Sequence, residues 1–209
     1  MAVLQGSLLD LADGIEVREL GATVRRTHLD HRAWVDERAG WVGGADELYE
    51  ALRRDVPWYA ERRQMYDSIV AVPRLLKFYG EGERLPHLAL EECREVLSAH
   101  YAAELGEPFV TAGLCLYRDG QDSVAWHGDR IGRSREQDTM VAILSVGAPR
   151  DLMLRPRDGG GPSRRFPAGH GDLVVMGGAC QRTWDHCVPK TAKPVGPRIS
   201  IQFRVRGVR

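Results

Sequence analysis

The sequence predicts an α+β chain with a double-stranded β-helix (jelly-roll) core buttressed by helices and preceded by an N-terminal α+β lobe. Three observations predict this. From Phe109 onward the chain breaks into short β-favouring runs divided by Gly, Asp and Pro, the pattern of a sandwich, barrel or jelly roll. Two earlier segments carry apolar residues at helical spacing. Between the runs, Trp126-His127-Gly128-Asp129 sets an imidazole and a carboxylate two apart. On an extended backbone, side chains two apart share a face.

The length of 209 residues suits one domain with a sizeable core. A lobe over 1–108 and a core over 109–209 are expected to form one folding unit. Hydrophobic residues make up 43% and charged residues 28%, which argues against disorder. Lys+Arg and Asp+Glu number 29 each, so any nucleic-acid binding must use a local basic patch. The cysteines Cys93, Cys115, Cys180 and Cys187 form no C-x-x-C pair and are expected as reduced thiols. No stretch approaches 18 apolar residues, and Met1 to Asp10 lacks the basic start of a signal peptide. The expectation is a cytoplasmic monomer without a membrane partner.

Gly14 to Leu20 and Arg32 to Val35 fit short strands. Ala45 to Asp55 fits a packing helix: Leu48, Ala51 and Leu52 recur at helical spacing, Gly43-Gly44 precede them and Pro57 follows. Ile69 to Val72 favours a strand, with Asp67-Ser68 as a hairpin turn. Arg53, Arg54, Arg62, Arg63 and Arg74 make this third locally basic, either as a phosphate-contacting surface or as a solvated face beside Asp55 and Glu61. Leu88 to Leu105 fits a second helix, with Pro86 before it and Gly106 after it. The β runs are Val110 to Tyr117, Met140 to Ser145, Asp151 to Leu154, Leu173 to Met176, Thr183 to Cys187 and Ile199 to Val205. Asp119-Gly120 marks a turn, and Arg155 to Arg165, with its three glycines, reads as a connecting loop.

His127 and Asp129 are two of the three groups of a 2-His-1-carboxylate Fe(II) site, which leaves open positions for co-substrate and O2. The third group is assigned to His186, with Trp184 on the same strand face as a pocket wall. His170 competes, but Ala168-Gly169-His170-Gly171 reads as a surface turn. Arg198, Ser200, Gln202 and Arg204 alternate with Ile199, Ile201 and Phe203. Polar groups pointing into a closed roll need partners, and a dicarboxylate such as 2-oxoglutarate supplies them through a bidentate pair with Arg198.

These pieces together resemble the AlkB-like Fe(II)/2-oxoglutarate dioxygenases. The matching residues are Tyr117-x-Asp119-Gly120-x-Asp122, His127-x-Asp129, His170 to Gly178, Trp184-x-His186, and Arg198 with Arg204 six later. Val72-Pro73-Arg74 and Tyr79-Gly80 also look like that family's N-terminal recognition lobe. The resemblance implies oxidative demethylation of N-alkylated nucleic-acid bases, with a flipped base and release of formaldehyde, succinate and CO2. It implies Fe(II) on His127, Asp129 and His186, and 2-oxoglutarate on Tyr117, Arg198 and Ser200 with Arg204 near its metal-proximal end. No catalytic residue beyond the metal ligands is expected. The substrate residues expected are Met65, Tyr66, Arg74, Tyr79 and Trp184. Met65 and Tyr66 would act as a wedge that holds a duplex open, against the plainer alternative that they pack on the sheet. Cys115 and Ser200 stand where relatives often carry Asn, and Ile131 where many carry an acid. The alternative function is a 2-oxoglutarate oxygenase acting on a protein side chain or small molecule, since fold does not fix substrate.

Overall fold

The computed structural model describes residues 14–65, 68–129 and 132–208, and of 63–65 and 68–71 the backbone only. The strands in chain order are β1 (Glu16–Val17), β2 (Arg25–His28), β3 (Ala33–Arg38), β4 (Val42–Gly43), β5 (Tyr59–Met65), β6 (Ser68–Tyr79) and β7 (Thr111–Tyr117). They continue with β8 (Val124–His127), β9 (Val141–Gly147), β10 (Arg150–Pro156), β11 (Arg164–Ala168), β12 (Asp172–Gly178), β13 (Trp184–Val188) and β14 (Arg198–Arg204). The helices are α1 (Ala45–Asp55), α2 (Leu88–His100), α3 (Ala102–Leu105) and α4 (Cys180–Thr183).

Two antiparallel sheets form the double-stranded β-helix. The large one runs β2-β3-β12-β9-β14-β7-β6-β5 and the small one β11-β10-β13-β8. Strands from both sides of residue 108 share the large sheet, the earlier ones at its two edges. Central β9 (Val-Ala-Ile-Leu-Ser-Val-Gly) is buried almost throughout, because α1 packs on one of its faces while the other faces the roll. On β14, Ile199, Ile201 and Phe203 are fully buried, while Arg198, Ser200, Gln202 and Arg204 take the alternate face. No helix among the described residues is long and apolar enough to cross a membrane.

Several elements depart from expectation for identifiable reasons. The second helix divides at Tyr101, which leaves the helical path (φ −95°, ψ 7°). Its hydroxyl donates to Asp36 at 2.9 Å, on a carboxylate that Arg26 also holds in a bidentate pair. This buried link ties the end of α2 to β2 and β3. Arg26 further stacks over Trp34, which is how the polar run Arg-Arg-Thr-His becomes a strand. The strand at Ile69 continues through Pro73 to Tyr79. Opposite Pro73 the β5–β6 register shifts between Ala60 and Arg62, so the ladder asks for no N–H at that position. The loop expected over Arg155 to Arg165 is shorter, because β10 and β11 pair from Arg150↔Ala168 to Leu154↔Arg164. Thr183, read as strand, ends α4.

Candidate metal and co-substrate site

β8 and β13 lie side by side with His127 opposite His186, and the two imidazoles sit 4.3 Å apart between centroids. The strand ends at His127, so Asp129 is not on the strand that alternation assumed. The chain beyond β8 brings Asp129 Oδ1 to 3.6 Å from His127 Nε2. One ligand atom from each of His127, Asp129 and His186 lies within 4.8 Å of the others. His170, the competing candidate, is elsewhere: Nδ1 accepts from the Gly147 N–H at 2.7 Å and Nε2 lies 3.3 Å from Asp46.

The cluster is held by its surroundings. The Ala125 carbonyl, 2.9 Å from His127 Nδ1, can only accept, so Nδ1 carries a proton and Nε2 is the nitrogen that faces the cluster. Asp129 is fixed at three points. Its Oδ2 accepts from Arg204 Nε at 2.8 Å, and Arg204 Nη2 makes an ion pair with the same oxygen at 2.8 Å. Its N–H donates to Gln181 Oε1 at 3.1 Å, and its carbonyl accepts from the Ser134 hydroxyl. Burial pushes the Asp129 carboxyl up, but Arg204, with His186 and His127 beside it, outweighs burial and leaves it at about 2. Burial, aided by His127, pushes the His186 imidazole down to about 3. At neutral pH both groups therefore stand in their ligating forms, with no proton to displace. Two imidazoles and one carboxylate are the donor set of a non-haem Fe(II) site.

Farther along β14, Arg198 pairs with Tyr117 of β7 on one side and Gly147 of β9 on the other. It is 2% exposed. Its Nη2 donates to Ser145 Oγ at 2.7 Å, while Nε and Nη1 are buried with no hydrogen-bond partner among the described residues. Burial pushes its pKa down. The Tyr117 ring lies 5.2 Å from the Arg198 guanidinium and 5.7 Å from that of Arg150. Burial, with Cys115 beside it, pushes the Tyr117 phenol up, against the charges of Arg198 and Arg74. An unpaired buried guanidinium is costly, and a carboxylate would satisfy it. The residues present thus fit both an Fe(II) ion and a 2-oxoglutarate carboxylate.

A cleft of about 330 Å³ opens beside this floor, lined among others by Tyr59, Arg74, Phe78, Cys115, Gln202 and Arg204. Arg74 is where a substrate residue was expected, with Nη1 on the Ser123 carbonyl at 3.0 Å. Tyr79 is not on the cleft: it is 8% exposed and packs in the core. The neighbouring Phe78, one residue away and so on the other face, lines it instead. Trp184 is 2% exposed and donates its indole N–H to the Asp30 carbonyl at 3.3 Å. It is core, not an open pocket wall. Met65 ends β5, with nothing described of its side chain, and Tyr66 and Ile131 lie outside the described residues. Arg204, expected toward the co-substrate, is engaged on Asp129. Ser145, Arg150 and Gln181 were missed. Arg150 gathers the carbonyls of Asp119, Asp122 and Pro189 beneath Tyr117, and no local pattern marks such a role.

The profile of the 2OG-Fe(II) oxygenase superfamily matches residues 45–204, and the chain belongs to that family. Among curated proteins it is similar to alpha-ketoglutarate-dependent dioxygenase alkB homolog 3 of Bos taurus, with 34% identity over 77% of this chain and 61% of the relative. It is also similar to the DNA oxidative demethylase ALKBH2 of Homo sapiens, with 29% identity over 77% of this chain and 68% of the relative. The chain spans about three fifths of the length of the alkB homolog 3 proteins it matches. Among solved structures, OsALKBH1 superposes with a TM-score of 0.60 at 12% identity, over 86% of this chain and 99% of that one. This likeness concerns the fold.

Proposed function

We propose that this chain is an Fe(II)/2-oxoglutarate-dependent dioxygenase that oxidatively demethylates N-alkylated nucleic-acid bases. One observation carries the reading: a His127-Asp129-His186 cluster stands in the same roll as a buried arginine with two unsatisfied guanidinium nitrogens. An oxygenase of this kind needs both features. The similarity to alkB homolog 3 and ALKBH2 supports a methylated nucleic acid as the substrate.

In this reading His127 Nε2, Asp129 Oδ1 and His186 hold Fe(II), which with O2 and 2-oxoglutarate supplies the oxidising power to hydroxylate an N-alkyl carbon. Arg204 neutralises the far oxygen of Asp129 and keeps the near one directed at the metal. Arg198 takes the distal carboxylate of 2-oxoglutarate, with Tyr117 and Ser200 beside it. The buried surroundings strengthen that pair by excluding water. The cleft walled by Tyr59 and Phe78 admits the base. Arg74 contributes a cation, which suits a phosphate-bearing substrate.

The test is purified, iron-loaded protein with oligonucleotides carrying N-methylated bases. Formaldehyde and succinate are expected in equal amounts, dependent on both Fe(II) and 2-oxoglutarate. Succinate formation without loss of methyl groups from any oligonucleotide would point to a protein side chain or small molecule as the substrate.

A further inference from the structure

We propose that Gln202, beside the space left by Gly113, is a specificity-determining residue for the base: its carboxamide oxygen accepts a hydrogen bond from an amino group next to the methylated ring nitrogen. The inference deepens the reading of the cleft as the base site and rests on it.

Phe78 of β6 and Gln202 of β14 stand directly opposite Gly113 of β7, one on each side. Residues opposite one another across a ladder share a face of the sheet, and all three line the cleft. Gly113 has no side chain, so the floor has a gap between an aromatic ring and a carboxamide. Neighbouring strands lie about 4.7–4.9 Å apart, which sets β6 and β14 roughly 10 Å apart across the gap. Two polar atoms look onto it. A Cβ on Gly113 would lie 3.2 Å from Gln202 Oε1 and 3.0 Å from Arg204 Nη1. The same guanidinium donates through Nε to Asp129 Oδ2 at 2.8 Å. The gap is therefore one guanidinium away from the carboxylate of the metal cluster.

Which amide atom faces the gap follows from the contacts at the other end. Nε2 lies 3.0 Å from the Ser200 backbone carbonyl, which can only accept, and it also donates to the Ser200 hydroxyl oxygen. Both amide hydrogens are spent on Ser200, and Oε1 is left toward Gly113. Its other contact among the described residues is Cys115 Sγ at 3.6 Å, a weak donor, and a carboxamide oxygen has two lone pairs. The cleft thus presents a neutral acceptor that cannot turn into a donor. Arg204 Nη1, across the gap, lies 3.4 Å from the Gln202 backbone carbonyl. With the N-methyl group at the metal, the nearest substituent of the base is the one on the next ring carbon. In cytosine and adenine that substituent is an amino group; in uracil and thymine it is a carbonyl. The amino group donates to Oε1. A carbonyl sets two acceptors against each other and leaves both unmet.

The experiment is a competition between two single-stranded oligonucleotides of one sequence, one carrying 3-methylcytosine and the other 3-methyluracil, which differ at the C4 substituent. Iron loading, 2-oxoglutarate saturation and folded fraction cancel in the ratio of the two rates, so a merely structural role does not move it. The parent is expected to favour 3-methylcytosine. Gln202→Leu is expected to lower that ratio by about tenfold, the scale of one hydrogen bond. Gln and Leu are both neutral, so any effect of charge on the base is common to parent and variant. Gln202→Met serves in its place if the Leu variant fails to fold by circular dichroism. Gly113→Val, which fills the gap, is expected to lower kcat/KM for both bases by about tenfold or more. An unchanged ratio in the Gln202 variant, or unchanged turnover in Gly113→Val, overturns the inference. So does a parent that prefers 3-methyluracil, which would make Arg204 Nη1 the reading group. Loss of methyl groups from neither oligonucleotide with the parent protein overturns instead the proposed function on which the inference rests.

Discussion

The two ends of β14 carry the same side chain in opposite circumstances. Arg204 finds its anion within the protein, on Asp129 at 2.8 Å. Arg198, six residues earlier, is at least as deeply buried but leaves two of its nitrogens unpaired. The first end is electrostatically closed and preorganised, and what it presents is a set of metal donors. The second is open and costs stability until an anion arrives. An arginine in a fold is therefore not a site by its burial or charge alone; the unmet hydrogen-bonding capacity is the mark of a ligand.

The largest expected effect lies at the closed end. His186→Ala or Asp129→Ala removes one of three donors and should abolish both Mn(II) binding and turnover, with His127→Ala nearly as severe. Metal content after gel filtration and succinate release are the measurements. Full activity in His186→Ala would remove that residue from the ligand set.

The next effect separates the two arginines. Removing the partner of a charge buried in the protein costs roughly 3–5 kcal/mol of stability, so Arg204→Met, which strands Asp129, should lower the melting temperature by several degrees. Arg198→Met strands no charge in the ligand-free protein, only the Ser145 hydroxyl, so its melting temperature should fall far less than that of Arg204→Met. Its 2-oxoglutarate binding should fall by roughly 2–5 kcal/mol, the cost of losing a bidentate charged partner, with Arg198→Lys intermediate. If Arg198→Met destabilised the ligand-free protein as much as Arg204→Met, the contrast between the two ends would be lost.

A smaller effect is expected from Gln181→Leu. It leaves the Asp129 N–H without its acceptor, at about 1–2 kcal/mol for an unmet buried donor. Mn(II) affinity should fall by roughly tenfold, as for other residues that orient a metal ligand, while 2-oxoglutarate saturation at full metal loading is unchanged. Equal weakening of both would mean a general loosening of the roll.

What the sequence made legible follows the range of the interactions. Arg198 through Arg204 could be placed because strand alternation is local. His186 could be assigned beside His127 from its place on a later strand of the roll, but the strand Val124–His127 and its pairing with β13 show no local β pattern. Asp129 was placed in the site for a reason that did not hold. It is not on the strand, and it reaches His127 because Gln181, Ser134 and Arg204 anchor the turn after β8. Trp184 shares the face of His186 as alternation requires, but its depth depends on the Asp30 carbonyl, 154 residues away in the chain. No local pattern reports such a contact. The same holds for Arg26, Asp36 and Tyr101, whose buried link joins segments that look merely polar or helical when read alone.

The finest test concerns two adjacent residues of β6. Phe78 is 37% exposed and lines the cleft, whereas Tyr79 is 8% exposed and packs in the core. The resemblance implies Tyr79 as a substrate residue, whereas it is Phe78 that faces the cleft. Tyr79→Ala empties a core position and should cost about 3 kcal/mol of stability, as large-to-small aromatic changes do. Phe78→Ala changes a surface residue and should leave stability within about 0.5 kcal/mol. On substrate the order inverts. Stacking of a base on an aromatic ring is worth about 1–3 kcal/mol, so Phe78→Ala should raise KM for a methylated single-stranded oligonucleotide by roughly tenfold. The folded fraction of Tyr79→Ala should keep the parent KM. An unchanged KM in Phe78→Ala, with KM raised in Tyr79→Ala, would return the substrate role to Tyr79 and place the base-binding surface away from the cleft.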